Sequence, residues 1–420
     1  MREVVQLQFG SCANAIGAHM INMEENRRRQ GDSDVLHEAF VNVGDHGVRP
    51  RVVMYDDRSK FERPPSLNLP VVGAELASET WAGRSDMYTA TATPGEGQWM
   101  NLLYENGIEL DDTSQCRLSS TTAGDGAEAG LDLNADALED AVDRARHQIE
   151  KCDSLQCIQS IVDIDTMFGP AAMSVLENVR DDLCGSSSQR LLVFAVHAHT
   201  RPHARRRSAF EELVSFAGLY PIANLQVHMR PADHHETPAL HGLALHAGSS
   251  VYRLASKHFS SNDLAERLAT NPSVRVGTLH GTPLHPDNAV QFEDWWSNRP
   301  SSSVVPSAQY SCTLGRDASR PWPADCVLNE ALVPATSPFA GEGEREPEVH
   351  ARVPVKAIAQ WTSAEPVHDL LQLYVDELSA IQRRGVSRAV ADFGVDADQL
   401  DNAMQLVRGL LDDFQQVERR

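Results

Sequence analysis

Residues Met1–Met20, MREVVQLQFGSCANAIGAHM, organise the rest of the chain. Val5, Leu7 and Phe9 are interleaved with Gln6 and Gln8, behind Glu3, in the period-two pattern of a strand. Gly10 breaks that strand. The run Ser11-Cys12-Ala13-Asn14-Ala15-Ile16-Gly17 is small at nearly every position, and Ala18, Met20, Ile21 and Met23 then follow at helical spacing. A strand that feeds a small-residue turn at a helix start lets a ligand approach the backbone, where amide N–H groups and the positive helix end face an anion. The same residues also suit a tight turn with close strand–helix packing, because glycines ten and seventeen alone are weak evidence for a phosphate loop.

The whole chain has 420 residues and 46.2 kDa. That exceeds what one core usually sustains, so two or three subdomains are expected. The net charge of −22 and a pI of about 5.1 argue against nucleic acid or an anionic bilayer as an electrostatic partner. The basic patches Arg27–Arg29 and Arg205–Arg207 read as solvated faces. No apolar run approaches the roughly 18 residues of a membrane span, and the N-terminus lacks the apolar centre of a signal peptide. Seven cysteines, none in a CxxC pair, suit reduced thiols in a cytosolic protein.

Further along, Arg51–Asp56 reads as a second strand and residues 58–98 as long Pro-, Gly-, Ser- and Thr-rich loops. A short helix is expected around Trp99–Leu103, and a flexible acidic linker over 119–135. Asn134 or Asp136 can cap a helix whose apolar face carries Leu138, Val142, Ala145 and Ile149. Leu155–Val162 and Leu191–Val196 read as buried strands with a helix between them that starts near Ala171. This order gives right-handed βαβ units and a mainly parallel sheet. His197, His199, His203, His228, His234 and His235 fall in a Pro/Arg-rich region without a Cys or carboxylate at metal-ligand spacing, so no metal site is expected. The final helices place Leu370, Leu371, Tyr374, Leu378 and Ile381, then Leu400, Met404, Val407, Leu410, Leu411 and Phe414, on apolar faces.

Several of these stretches resemble tubulins. The opening Met-Arg-Glu strand runs into a GxCxNxxG loop, matched by Gly10, Cys12, Asn14 and Gly17, with Ser11 and Ala13 at two positions where tubulins carry Gln and Gly. Pro50, Arg51 and Asp56 fit a Pro-Arg-apolar-Asp strand, and Cys152-Asp153-Ser154-Leu155-Gln156 resembles the block before the second phosphate loop. That loop is GGGTGSG in tubulins; here it reads Asp163-Ile164-Asp165-Thr166-Met167-Phe168-Gly169, with only the last glycine kept. Glycines there let amides close around phosphate, whereas carboxylates repel it and Met167 and Phe168 fill space. Aspartates after a buried strand, then an aromatic and Gly, together with Asp392–Leu400 ahead of the last helix and Trp361–Ile381 as a penultimate helix, make the chain similar to the Misato family. The similarity covers, with gaps, residues 1 to about 290 and 353 to 417.

The resemblance implies an α/β, tubulin-like fold: a mainly parallel sheet flanked by helices, a smaller α+β second domain and C-terminal helices. The expected divisions are 1–235, 236–352 (with a disordered loop near 336–350) and 353–420 as a helical pair. It implies Gly10, Ser11, Cys12, Asn14 and Gly169 as the residues of any nucleotide cradle. Glu266, in the Ser261–Leu268 helix start, falls where one tubulin type carries its hydrolysis-promoting acid and is the lone catalytic candidate. The expected function is a non-enzymatic scaffold in mitochondrial distribution, inheritance and morphology, without a cofactor. It would work from the cytoplasm or the outer mitochondrial surface, through protein partners there or on the cytoskeleton. Two alternatives stand beside it: a self-assembling GTPase that binds GTP, and a tubulin assembly factor.

Overall fold

The computed structural model describes residues 3–29, 40–42, 48–61, 99–104, 108, 110–121, 130–183, 190–197, 205–229, 238–253, 260–269, 274–284, 309–314, 333–335, 353–362, 365–384 and 397–418. The expected loop near 336–350 and the Asp392–Asp396 segment lie outside the described residues, as do the loop residues 62–98.

Strand β1 (Glu3–Phe9) leads through Gly10 into helix α1 (Ser11–Arg29). A short hairpin of β2 (Phe40–Asn42) and β3 (Val48–Pro50) precedes β4 (Val52–Asp57). Then come α2 (Trp99–Tyr104), β5 (Gln115–Thr121), β6 (Gly130–Asp132) and α3 (Ala135–Glu150). The next units are β7 (Leu155–Asp163), α4 (Phe168–Leu183), β8 (Arg190–Val196), α5 (Arg205–Leu219) and β9 (Leu225–Met229). Helices α6 (Pro238–Arg253) and α7 (Ser261–Leu268) precede β10 (Val276–Leu284), β11 (Gln309–Leu314), β12 (Val333–Ala335) and β13 (Val353–Thr362). Helices α8 (Glu365–Arg384) and α9 (Ala397–Glu418) follow.

The sheet order is β11-β13-β10-β9-β8-β7-β1-β4-β5-β6, with β12 paired to β13. From β10 to β5 every neighbouring pair is parallel, and β13 and β6 join antiparallel at either end. This is the expected α/β architecture: a mainly parallel sheet, flanking helices and closing helices.

β1 lies between β4 and β7, so all seven of its residues are buried. Its alternation therefore sorts residues between two covered faces rather than between core and water. Val5, Leu7 and Phe9 join the cluster of Val142 and Ala145 from α3 with Val175 and Leu176 from α4. Val4 faces Ile16 and Met20 of α1, Tyr252 of α6 and Leu264 of α7. On that second face the glutamines pair internally. Gln8 Nε2 donates to Gln6 Oε1 (3.0 Å), Gln6 Nε2 to the Met20 sulfur (3.2 Å), and Tyr252 Oη to Gln159 Oε1 (2.7 Å). Glu3 is likewise buried, ion-paired with Arg51, and accepts from the Ser154 amide (2.7 Å). Satisfying each buried polar group avoids a cost of about 1–3 kcal/mol.

The apolar faces read from the last two helices are buried as expected, packed with Leu213 and Phe216 of α5. Burial of each large apolar side chain contributes roughly 1.5–3 kcal/mol.

The structure differs from the sequence expectation at two described places. Trp361, expected in a helix, ends β13; it is fully buried and donates from Nε1 to Gly248 O (3.2 Å). The β-rich run Val353–Thr362 extends the sheet through β10, so α8 begins only at Glu365. In the stretch expected as a linker, residues 119–121 and 130–132 pair as strands. Of the two caps offered for α3, Asn134 takes the position, by accepting from the Ala137 amide (2.9 Å). Ser260 caps α7, and Asp263 returns the hydrogen bond in a capping box.

Candidate functional site

The C-terminal ends of β1, β4 and β7 converge on the first turn of α1, where parallel sheets present ligands. Gly10 has φ +103°, a left-handed conformation that L side chains rarely adopt. Its carbonyl accepts from the Asn14 amide (2.8 Å), so Gly10 occupies the N-cap position and Cys12 and Ala13 carry amides that an N-cap side chain normally satisfies. Glycine has no such side chain. Asp163, at the end of β7, supplies it from 153 positions further along the chain: Oδ2 accepts from Cys12 N (3.0 Å) and Oδ1 from Ala13 N (2.7 Å). A Cβ built on Gly10 would lie 2.2 Å from Asp163 Oδ2. The space an ordinary cap would fill is taken by the Asp163 carboxyl.

Asp56, at the end of β4, forms the second centre. Its carboxyl accepts from Ser11 Oγ (2.9 Å), Asn14 Nδ2 (3.0 Å) and Trp99 Nε1 (2.8 Å). Asn14 Nδ2 also donates to Tyr55 O (3.2 Å). Thus Ser11, Cys12 and Asn14, expected as the nucleotide cradle, gather with Gly10 at one place and are engaged by two aspartates.

The remaining expected residues lie elsewhere in the contact network. Gly169 sits in the first turn of α4, where an added Cβ would meet Ser215 Oγ of α5 at 2.1 Å; its observed neighbours make it a packing glycine. Gly17 is similar, since a Cβ there would meet Gln8 Nε2 at 2.0 Å. Glu266 is exposed on α7 and accepts from Asn262 Nδ2 (2.8 Å).

Burial pushes the Asp163 carboxyl well above the ordinary carboxylate range, Asp165 and Asp56 push it the same way, and the amides of Cys12 and Ala13 pull it back. Burial also raises Asp56, against the hydrogen bonds from Asn14, the Asp57 amide, Trp99 and Ser11. Burial pushes the Cys12 thiol up, with Asp163 and Asp165 adding to it, which makes Cys12 a poor nucleophile. A carboxyl that holds its proton more tightly when folded than when unfolded favours the folded state in acid. That advantage is complete below the unfolded pKa of about 3.9 and is lost as pH rises through the raised folded value. Stability measured by urea denaturation should therefore fall with pH above about 4, and Asp163→Asn should flatten the slope by at most about 1.4 kcal/mol per pH unit.

A nucleotide, the ligand of the tubulin-like fold, would need α1 amides free for phosphate. Here they are bonded to Asp163, with Asp165 and Asp56 close enough to raise its pKa. The residues present do not fit a phosphate group, and no chemistry routed through a nucleotide follows from them. In sequence, Asp163 reads as a repelling charge opposite the turn; that its carboxyl caps the helix has no local signal, because the partners are far apart in the chain.

No family model matches the chain. Among curated proteins, the chain is similar to Protein DML1 of Gibberella zeae, 29% identical over 218 residues. The match covers 43% of this chain and 44% of that protein, so the chain spans less than half the length of the relative it matches. It supports a distant Misato/DML1 relationship.

Proposed function

We propose that the chain is a non-enzymatic, tubulin-like scaffold that acts in mitochondrial distribution, inheritance and morphology. The observation that carries the non-enzymatic half is the capping of α1 by Asp163, which engages the amides a nucleotide phosphate would use. The mitochondrial half is supported by the similarity to Protein DML1 and by the Misato-like sequence blocks around Asp163–Gly169. The protein would act from the cytoplasm or the outer mitochondrial surface through protein partners there or on the cytoskeleton. Among the described residues, no helix is long and apolar enough to cross a membrane.

Calorimetric titration of the purified protein with GTP and Mg²⁺ tests the reading. The expected result is no heat of binding at millimolar GTP and no GTP-dependent sedimentation. Micromolar binding, with turnover abolished by Glu266→Ala, would replace the scaffold with the self-assembling GTPase.

A further inference from the structure

Three ligating side chains meet at the same sheet edge, one strand beyond β7. His197 follows the last residue of β8, His228 lies in β9 beside Ala195, and Glu212 reaches them from α5. One ligand atom from each lies within 4.8 Å of the others. His197 Nδ1 is 3.3 Å from Glu212 Oε2, and both side chains are close to nine-tenths buried. His228 is fully buried.

We propose that His197, Glu212 and His228 form a buried zinc site, independent of whether the chain binds nucleotide. Two imidazoles and a carboxylate are a known donor set for Zn²⁺, which takes nitrogen and oxygen at roughly 2.0–2.2 Å and leaves a fourth tetrahedral position to water. Bond lengths of that size separate two tetrahedral ligands by roughly 3.3–3.5 Å. The His197–Glu212 pair already has this spacing, and a ring nitrogen of His228 lies within 4.8 Å of both. The carboxylate is oriented for the role: Tyr374 Oη donates to Glu212 Oε1, while Oε2 is the oxygen near His197. Such a donor behind a ligating carboxylate fixes its direction and tunes the metal. Tyr374 comes from α8, so the site ties the closing helices to the parallel strands. The buried Nε2 of His197 has no hydrogen-bond partner among the described residues, which leaves that imidazole held through Nδ1 alone.

In sequence, the histidines have no carboxylate at ligand spacing. Glu212 lies fifteen positions after His197 and sixteen before His228, a spacing that only the return of α5 across the sheet makes into one site.

The test uses the full chain stripped with chelator and titrated with ZnCl₂ by calorimetry, with Co²⁺ substitution read by visible absorption. The expected result is about one tight site per chain, with the intense bands of tetrahedral Co²⁺. Both should be lost in His228→Ala and in Glu212→Gln, which keeps the shape of the side chain and its acceptor for Tyr374. Tyr374→Phe should retain the site and weaken zinc about 10–100-fold. Near-ultraviolet circular dichroism of each variant establishes folding, and Glu212→Gln and Tyr374→Phe keep the test open if His228→Ala misfolds. The proposal is overturned by the absence of a tight site in the wild type. It is equally overturned by tight binding that folded Glu212→Gln retains, which would assign the metal to others of the 17 histidines.

Discussion

Asp163→Ala is expected to cost about 2–4 kcal/mol of folding stability, read by urea denaturation at neutral pH. The substitution strips the acceptor from two amides at once, those of Cys12 and Ala13. Ala13 is fully buried, so its N–H has no route to water and bears the full cost of an unmade bond, about 1–3 kcal/mol. Cys12 is only partly buried, and its amide recovers some of that by hydration. The helix also loses a partner at its positive end, worth about 0.3–1 kcal/mol when the carboxyl is ionised. Asp163→Asn should fall between Ala and wild type, because one amide oxygen can still accept while its NH₂ group opposes the second donor. A loss below about 0.5 kcal/mol in Asp163→Ala would mean that α1 is not held by this contact.

Arg253→Met is expected to cost about 3–5 kcal/mol, the usual penalty for removing one member of a buried ion pair. Glu24 in α1 and Arg253 at the end of α6 are both about 2% exposed and form a direct ion pair. His246 Nδ1 is 3.1 Å from the same carboxylate oxygen, and Arg253 Nε donates to Ser249 Oγ (2.7 Å). Methionine replaces the stem of arginine as far as Nε, so the cost falls chiefly on the Glu24 carboxylate left in a low-dielectric interior without its guanidinium. Replacing both partners, Glu24→Leu with Arg253→Met, should recover much of the loss. Recovery stays incomplete because His246 then loses both charged neighbours. If the double variant is no more stable than Arg253→Met, packing of the arginine stem and not charge pairing explains the defect.

The legible and illegible parts of the fold separate by the range of the interactions that create them. Strand and helix positions from Leu155 to Val196 follow from local apolar runs and turn residues, and the faces of α8 and α9 follow from periodicity alone. The environment of β1 does not. The alternation of Gln6 and Gln8 with apolar residues marks a strand but not that the glutamines are buried beneath α1, because the Gln6–Gln8 hydrogen bond and the room left by Gly17 are set by the packed helix. Trp361 is expected in a helix from the family resemblance, and pairing with β10 decides for a strand. In the candidate site, the residues Gly10, Ser11, Cys12 and Asn14 were legible as a group; their engagement by Asp56 and Asp163 was not, since neither aspartate is near them in sequence.

The Asp163 cap has a consequence for how the protein is made. When residues 3–29 have been synthesised, the start of their helix still lacks its cap. Their strand partners come later, β4 first and β7 last, and the cap itself arrives with residue 163. At about 5–20 residues per second, that interval is on the order of 10 seconds. Through it, the apolar side chains of Val4 to Phe9 have only half a sheet to join, and an unpaired strand edge is open to other chains. Mutations that slow the docking of β7 should therefore show first as aggregation during synthesis rather than as loss of stability in the finished protein.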